Sequence, residues 1–87
     1  MTVEEEHEPP EQLSDAELEQ IIEELEAEEV ELSRLRRRLH DRLASFPNEV
    51  TQQQEQEISK RRRVLHVRID ALRAERSRRR EQSDPDG

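Results

Sequence analysis

The sequence predicts an all-α protein, an antiparallel two-helix coiled-coil hairpin. Three observations lead there. Leu18, Ile21, Ile22, Leu25, Leu32, Leu35, Leu39, Leu43 and Phe46 keep the heptad spacing of a coiled-coil seam. One break, Ser45-Phe46-Pro47-Asn48, divides a stretch rich in the helix formers Glu, Leu, Arg and Gln. Charge is segregated: residues 1–33 hold 14 acids and no Lys or Arg, and all 15 basic residues lie between Arg34 and Arg80. An acidic arm and a basic arm in one chain can pair with each other.

The chain has 87 residues, of which 44% are charged and 29% hydrophobic, with one Phe and no Tyr or Trp. That excludes a thick globular core and leaves room only for long helices with a narrow apolar seam. There is no Cys, hence no disulfide framework, thiolate metal site or cysteine nucleophile. No apolar run approaches the roughly 20 residues of a membrane span. No signal-peptide pattern opens the chain, so a cytoplasmic protein is the default expectation. The net charge of −8 does not exclude an anionic ligand on the basic half.

In chain order, residues 1–12 (MTVEEEHEPPEQ) read as a disordered acidic tail. The hairpin is expected over 13–82. Ser14-Asp15-Ala16-Glu17 forms a capping box, and Leu13 and Leu18 are spaced for a hydrophobic staple. Helix 1 is expected at about 14–45. Pro47 disfavours α geometry at Phe46, which sets a turn at 46–48. Asn48 or Thr51 caps helix 2, expected at about 49–82, before a second disordered tail at 83–87. Each helix is then on the order of 45 Å long. The short link favours antiparallel packing, which brings Glu19, Glu23 and Glu26 near Arg80, Arg76 and Arg73. Such exposed pairs contribute about 0–1 kcal/mol each and chiefly select register.

The polar residues repeat. Residues 29–44 and 55–70 align with eight of sixteen positions identical: Glu29/Glu55, Glu31/Glu57, Ser33/Ser59, Arg36/Arg62, Arg37/Arg63, Leu39/Leu65, His40/His66 and Arg42/Arg68. A repeat of Leu alone signals packing. A repeat of Glu, Ser, Arg and His signals a repeated surface. At 100° per residue Glu29, Ser33, Arg36 and His40 fall within about 60° of each other, and Glu55, Ser59, Arg62, His66 and Asp70 within about 80°. Each set is one stripe, expected to flank the seam roughly 80° from it and to stay accessible. In a hairpin the stripes run antiparallel, related by an approximate two-fold axis that suits a two-fold symmetric ligand.

The second copy reads E-x3-S-x2-R-x3-H-x3-D, and the first ends in Ala44 instead of Asp. This resembles the cyclic-di-GMP signature E-x3-S-x2-R-x3-Q-x3-D of actinobacterial anti-sigma factors of the RsiG type. His40 and His66 stand at the Gln position and can still donate and accept hydrogen bonds. The resemblance covers residues 29–70. It implies a hairpin that binds cyclic-di-GMP, often as a stacked pair, and so captures a sigma factor of the WhiG type. Some such proteins work as homodimers with one effective motif per chain, which the unequal copies here permit.

The residue chemistry agrees. Arg36 and Arg62 suit guanine O6/N7 or phosphate. Glu29, Glu55 and Asp70 can accept from guanine N1–H and N2–H. Ser33, Ser59 and the histidines can donate to phosphate. With no aromatic on either stripe, guanines must stack on each other or on Arg37, Arg61 or Arg63. Other readings stay open. Glu/Arg stripes on coiled coils are commonly solvated salt-bridge faces. His66 and Asp70, at i,i+4, are spaced to hold a metal, though a surface histidine is the plainer account. Arg61-Arg62-Arg63 and Arg78-Arg79-Arg80 could bind nucleic acid, against which the acidic first half argues. Val64, Val67, Ala71 and Ala74 form a second apolar stripe on helix 2, for a partner helix or for self-association. No nucleophile–base pair points to catalysis. The main rival is a structural coiled-coil adaptor, whose melting Arg62→Ala is expected to leave unchanged.

Overall fold

The computed structural model describes residues 8–83, the side chain of Ser83 excepted. The expected tail over residues 1–7 and 84–87 lies outside the described residues. Two long helices, α1 (Asp15–Ser45) and α2 (Glu49–Ser83), pack side by side as an antiparallel hairpin.

A short 3-10 turn at Pro10–Gln12 precedes α1. Order therefore begins earlier than the acidic composition suggests. Pro10 at the start presets the backbone, the Leu13 N–H bonds to the Pro10 carbonyl at 3.2 Å, and Leu13 is buried in the core. Ser14 is the N-cap of α1. Its hydroxyl accepts the Glu17 N–H at 3.1 Å, and the Glu17 carboxylate accepts the Ser14 N–H at 2.9 Å. Leu13 and Leu18 share the core, as a staple requires. The chain turns at Phe46, whose N–H still reaches the Arg42 carbonyl at 2.7 Å. Asn48, not Thr51, caps α2: its Oδ1 accepts the Thr51 N–H at 2.8 Å. Thr51 is instead buried at the first turn of the helix.

The core is lopsided. Leu13, Leu18, Ile22 and Leu25 pack with Leu65, Ile69 and Leu72 at the end away from the turn, with Ile21 and Leu32 against them. Toward the turn Leu39 is buried, Leu35 and Leu43 are half-buried, and Phe46 is 72% exposed. Phe46 thus leaves the seam it was expected to extend, because it stands past the last turn of α1 with non-helical φ −138° and ψ 85°.

Buried and half-buried positions together define the seam. On α1 the line runs Leu18, Ile22, Leu25, Glu29, Leu32, Arg36, Leu39 and Leu43. On α2 it runs Thr51, Glu55, Ile58, Arg62, Leu65, Ile69, Leu72, Arg76 and Arg79. Steps of four and three alternate throughout, as in a heptad. Glu29, Arg36, Glu55 and Arg62 are therefore seam positions. The expected stripes do not flank the seam; their Glu and Arg residues interrupt it.

Register differs in one respect from the charge pairing anticipated. Glu26 pairs with Arg73, but Arg76 reaches Glu19 at 3.2 Å and Arg79 reaches Asp15 at 2.7 Å. Arg76 and Arg79 continue the seam line beyond Leu72, which carries them over the first turns of α1. Arg79 also donates to the Leu13 and Pro10 carbonyls at 2.8 and 3.1 Å and to Glu75 at 2.6 Å. One guanidinium thus ties the N-terminal turn to the end of α2.

Candidate functional site: a crossed Glu-Ser-Arg-His network

The two repeated sets meet on one face of the hairpin and exchange partners across it. Arg36 Nε donates to Ser59 Oγ at 3.0 Å, and Arg62 Nε donates to Ser33 Oγ at 3.0 Å. Ser59 Oγ donates to Glu55 at 2.8 Å, and Ser33 Oγ to Glu29 at 3.1 Å. His40 Nε2 lies 2.8 Å from Glu55, and His66 Nε2 lies 3.1 Å from Glu29. Arg36 and Arg62 each come within 3.5 Å of the opposing carboxylate. Every contact made by one set recurs in the other with the helices exchanged. The approximate two-fold axis expected of the repeat is thus present in atomic contacts.

Helical periodicity explains the local arrangement. Glu and Ser at i,i+4 stack on one face, so each serine bonds the carboxylate of its own helix. Arg and His belong to the opposite end of each motif. Antiparallel packing therefore sets the Arg and His of one helix beside the Glu and Ser of the other. Depth is graded: the Glu55 and Glu29 side chains are 16% and 24% exposed, Arg62 and Arg36 29% and 38%, and the histidines nearly half.

The electrostatics follow from this crossing. The hydrogen bond from His66 holds the Glu29 carboxyl below the usual carboxylate range, against the opposing effect of burial, with Ser33 and the charge of Arg62 helping. Glu55 is lowered in the same way, first by the Ser59 hydroxyl and then by His40. An ionised carboxylate only accepts, so each histidine must present an Nε2–H toward it.

Of the residues singled out by sequence, the structure brings eight together: Glu29, Ser33, Arg36, His40, Glu55, Ser59, Arg62 and His66. Arg37, Arg63 and Asp70 do not join. All three are exposed and make no ion pair among the described residues. By helical angle they border the network on the same face, where Ala44 takes the place matching Asp70. His66 turns to Glu29 across the hairpin, and no hydrogen bond joins it to Asp70. Among the described residues no group of three or more His, Cys, Asp or Glu is placed to hold a metal ion. Two features escaped the sequence reading. The seam position of the Glu and Arg pairs was encoded in the four-three steps from Leu25 through Glu29 to Leu32. The Arg79 clamp was encoded in the same line running past Leu72.

Fold and site together define a class: an antiparallel helical hairpin whose helices each carry a Glu-Ser-Arg-His set and trade its contacts across one face. The family model described as RsiG-like matches residues 48–86, which span the cap of α2, the whole helix and the complete second motif copy. Over that span the chain is similar to the RsiG-like family. Among curated proteins and among solved structures, nothing matches the chain. No helix among the described residues is long and apolar enough to cross a membrane.

Proposed function

We propose that this protein is a non-enzymatic anti-sigma factor that binds cyclic-di-GMP on the crossed network and so captures a sigma factor of the WhiG type. The observation that carries this reading is the duplicated, two-fold-related Glu-Ser-Arg-His face in a chain that is RsiG-like over α2. Cyclic-di-GMP is itself two-fold symmetric, with two phosphodiester charges and two guanines. Arginine recognises phosphate oxygens and the guanine O6/N7 edge, and carboxylates accept from guanine N1–H and N2–H. Arg36 and Arg62 are the principal ligand groups in this reading, with Arg37 and Arg63 beside them. Asp70 has no counterpart at Ala44, so the two copies bind unequally. Because the arginines are bonded across the hairpin, the ligand competes with Ser59 and Glu55 for one and with Ser33 and Glu29 for the other.

Calorimetric titration with cyclic-di-GMP, using GTP and GMP as controls, tests this. Selective, saturable binding is expected, weakened in both Arg62→Ala and Asp70→Ala. Asp70 makes no contact that the fold uses, so its variant isolates the ligand contribution. The absence of binding, with a WhiG-type sigma factor also present, sinks the proposal.

One observation favours a second reading, a coiled-coil adaptor that binds no nucleotide. Each Glu, Ser, Arg and His of the network already has a partner inside the hairpin. Polar layers of that kind fix register in coiled coils at a cost in stability. Under this reading the network melts normally and cyclic-di-GMP leaves the melting temperature unchanged.

A further inference from the structure

The crossed network occupies one face of α2; a different face of the same helix lacks a partner. Val64 and Val67 are 69% and 70% exposed, and Ala71 and Ala74 are exposed with them. At 100° per residue these four fall within about 80° of each other, roughly opposite Leu65, Ile69 and Leu72. They repeat at three- and four-residue steps, the pattern by which one helix receives another. An open groove of about 350 Å³ adjoins the stripe, lined by Glu57, Ile58, Lys60, Arg61 and Val64.

Away from the stripe, most cations of α2 are paired. Arg61, Arg62, Arg73, Arg76, Arg78 and Arg79 all pair with acids. Lys60, Arg63 and Arg68 make no ion pair among the described residues. Lys60 continues the stripe toward the start of α2, and Arg63 and Arg68 flank it on its two sides. The acids nearby on α2 are Glu57, Asp70 and Glu75, the last buried and already paired with Arg78 and Arg79. Beside the exposed valines the chain thus sets three cations without an acid partner; Arg80 on α2 and Arg37, Arg38 and Arg42 on α1 also make no ion pair among the described residues, but none of them adjoins an apolar stripe.

We infer that this face of α2 docks an acidic amphipathic helix of a partner protein, its apolar side on Val64 and Val67 and its carboxylates on Lys60 and Arg68. A second copy is disfavoured on two grounds. Stacking α2 on α2 sets cations against cations. Stacking α2 on the acidic outer side of α1 is a head-to-tail contact, which builds rings or open chains and not a two-fold dimer. A nucleic acid uses the cations but leaves the valines in water. A membrane surface calls for larger apolar groups than two valines and two alanines. The inference does not depend on nucleotide binding, since Val64, Val67, Lys60 and Arg68 lie outside the crossed network.

The probe is a synthetic amphipathic peptide of about 20 residues, long enough for five helical turns, with Leu on one side and Glu on its borders. A Lys-bordered twin is the control. Fluorescence anisotropy with the whole chain is expected to show binding of the acidic peptide alone, weakening as salt rises. Affinity should fall at least about tenfold in Val64→Ser/Val67→Ser and again in Lys60→Glu/Arg68→Glu. Lys60, Val64 and Val67 are exposed and Arg68 is half-buried, and unchanged circular dichroism melts confirm that the variants fold. Equal binding of both peptides overturns the inference, as does no binding or indifference to the valine substitutions. Binding of RNA or of phosphatidylglycerol vesicles that needs Lys60 and Arg68 but not the valines reassigns the face to a polyanion. A dimer seen by light scattering and lost in Val64→Ser/Val67→Ser reassigns it to a second copy.

Discussion

Arg62 and Arg63 are neighbours in sequence with opposite structural roles. Arg62 donates to Ser33 and approaches Glu29 across the seam; Arg63 stands exposed. Arg62→Ala leaves a half-buried carboxylate and hydroxyl short of a partner. It is expected to cost about 1 kcal/mol, the typical net worth of such a hydrogen bond. Arg63→Ala is expected to stay within about 0.5 kcal/mol of the parent. Thermal melts by circular dichroism distinguish the two, and equal melts would deny the network a part in stability. Arg62→Ala therefore cannot serve as a silent control for a structural coil, contrary to the expectation from sequence, because its stripe lies in the seam. The carboxylates make a pH prediction. Glu29, Glu55 and Glu75 are all lowered from the ordinary value of 4.5, so they release protons more readily folded than unfolded. As pH falls through 4.5 and below, the unfolded chain takes up protons first and stability declines. Above that range their contribution is complete. Melting temperature is expected to fall with acid in this window, and less steeply in Glu29→Gln/Glu55→Gln.

The helices divide into a cohesive end and a polar end. Ile22 is 2% exposed and packs among Leu18, Leu65 and Ile69, whereas Phe46 is 72% exposed at the turn. Ile22→Ala is expected to cost about 2–5 kcal/mol, a large share of what two helices can muster. Phe46→Ala is expected to change stability by less than about 0.5 kcal/mol. Urea titration checks both, and a large loss at Phe46 would mean that it is covered in solution. The capping box at Ser14 and the cap at Asn48 were legible in sequence because capping depends on residues three positions apart. The choice of Asn48 over Thr51 was not. Both can cap, and burial of Thr51 against the hairpin decided between them.

At the scale of the whole chain, one thin seam interrupted by the Glu29–Arg62 and Arg36–Glu55 layers cannot be strongly stable alone. A ligand that binds only the folded hairpin raises stability by mass action, about 2.7 kcal/mol at a hundredfold excess over Kd. Cyclic-di-GMP is accordingly expected to raise the melting temperature with increasing concentration, and GMP to leave it unchanged. A flat response to cyclic-di-GMP supports the adaptor reading. The value of the network would then lie in register, since a one-heptad slip sets Arg36 and Arg62 against the wrong layers.

The sequence by itself determined the two helices, the break at Pro47, the caps, the antiparallel sense and the identity of the repeated Glu, Ser, Arg and His residues. Each of these follows from local spacing or from the division of charge along the chain. Tertiary structure decided what those residues touch. A helical wheel with apolar residues alone on the seam puts the polar stripes to one side. Packing two real helices admits Glu29, Arg36, Glu55 and Arg62 to the seam because each meets its complement from the other helix there. It likewise decided that Arg79 would secure the N-terminal turn, whereas the outward stripe of Val64 and Val67 was already legible in the helical spacing. Such pairings depend on contacts 15 to 69 residues apart, and no spacing within a single helix encodes them.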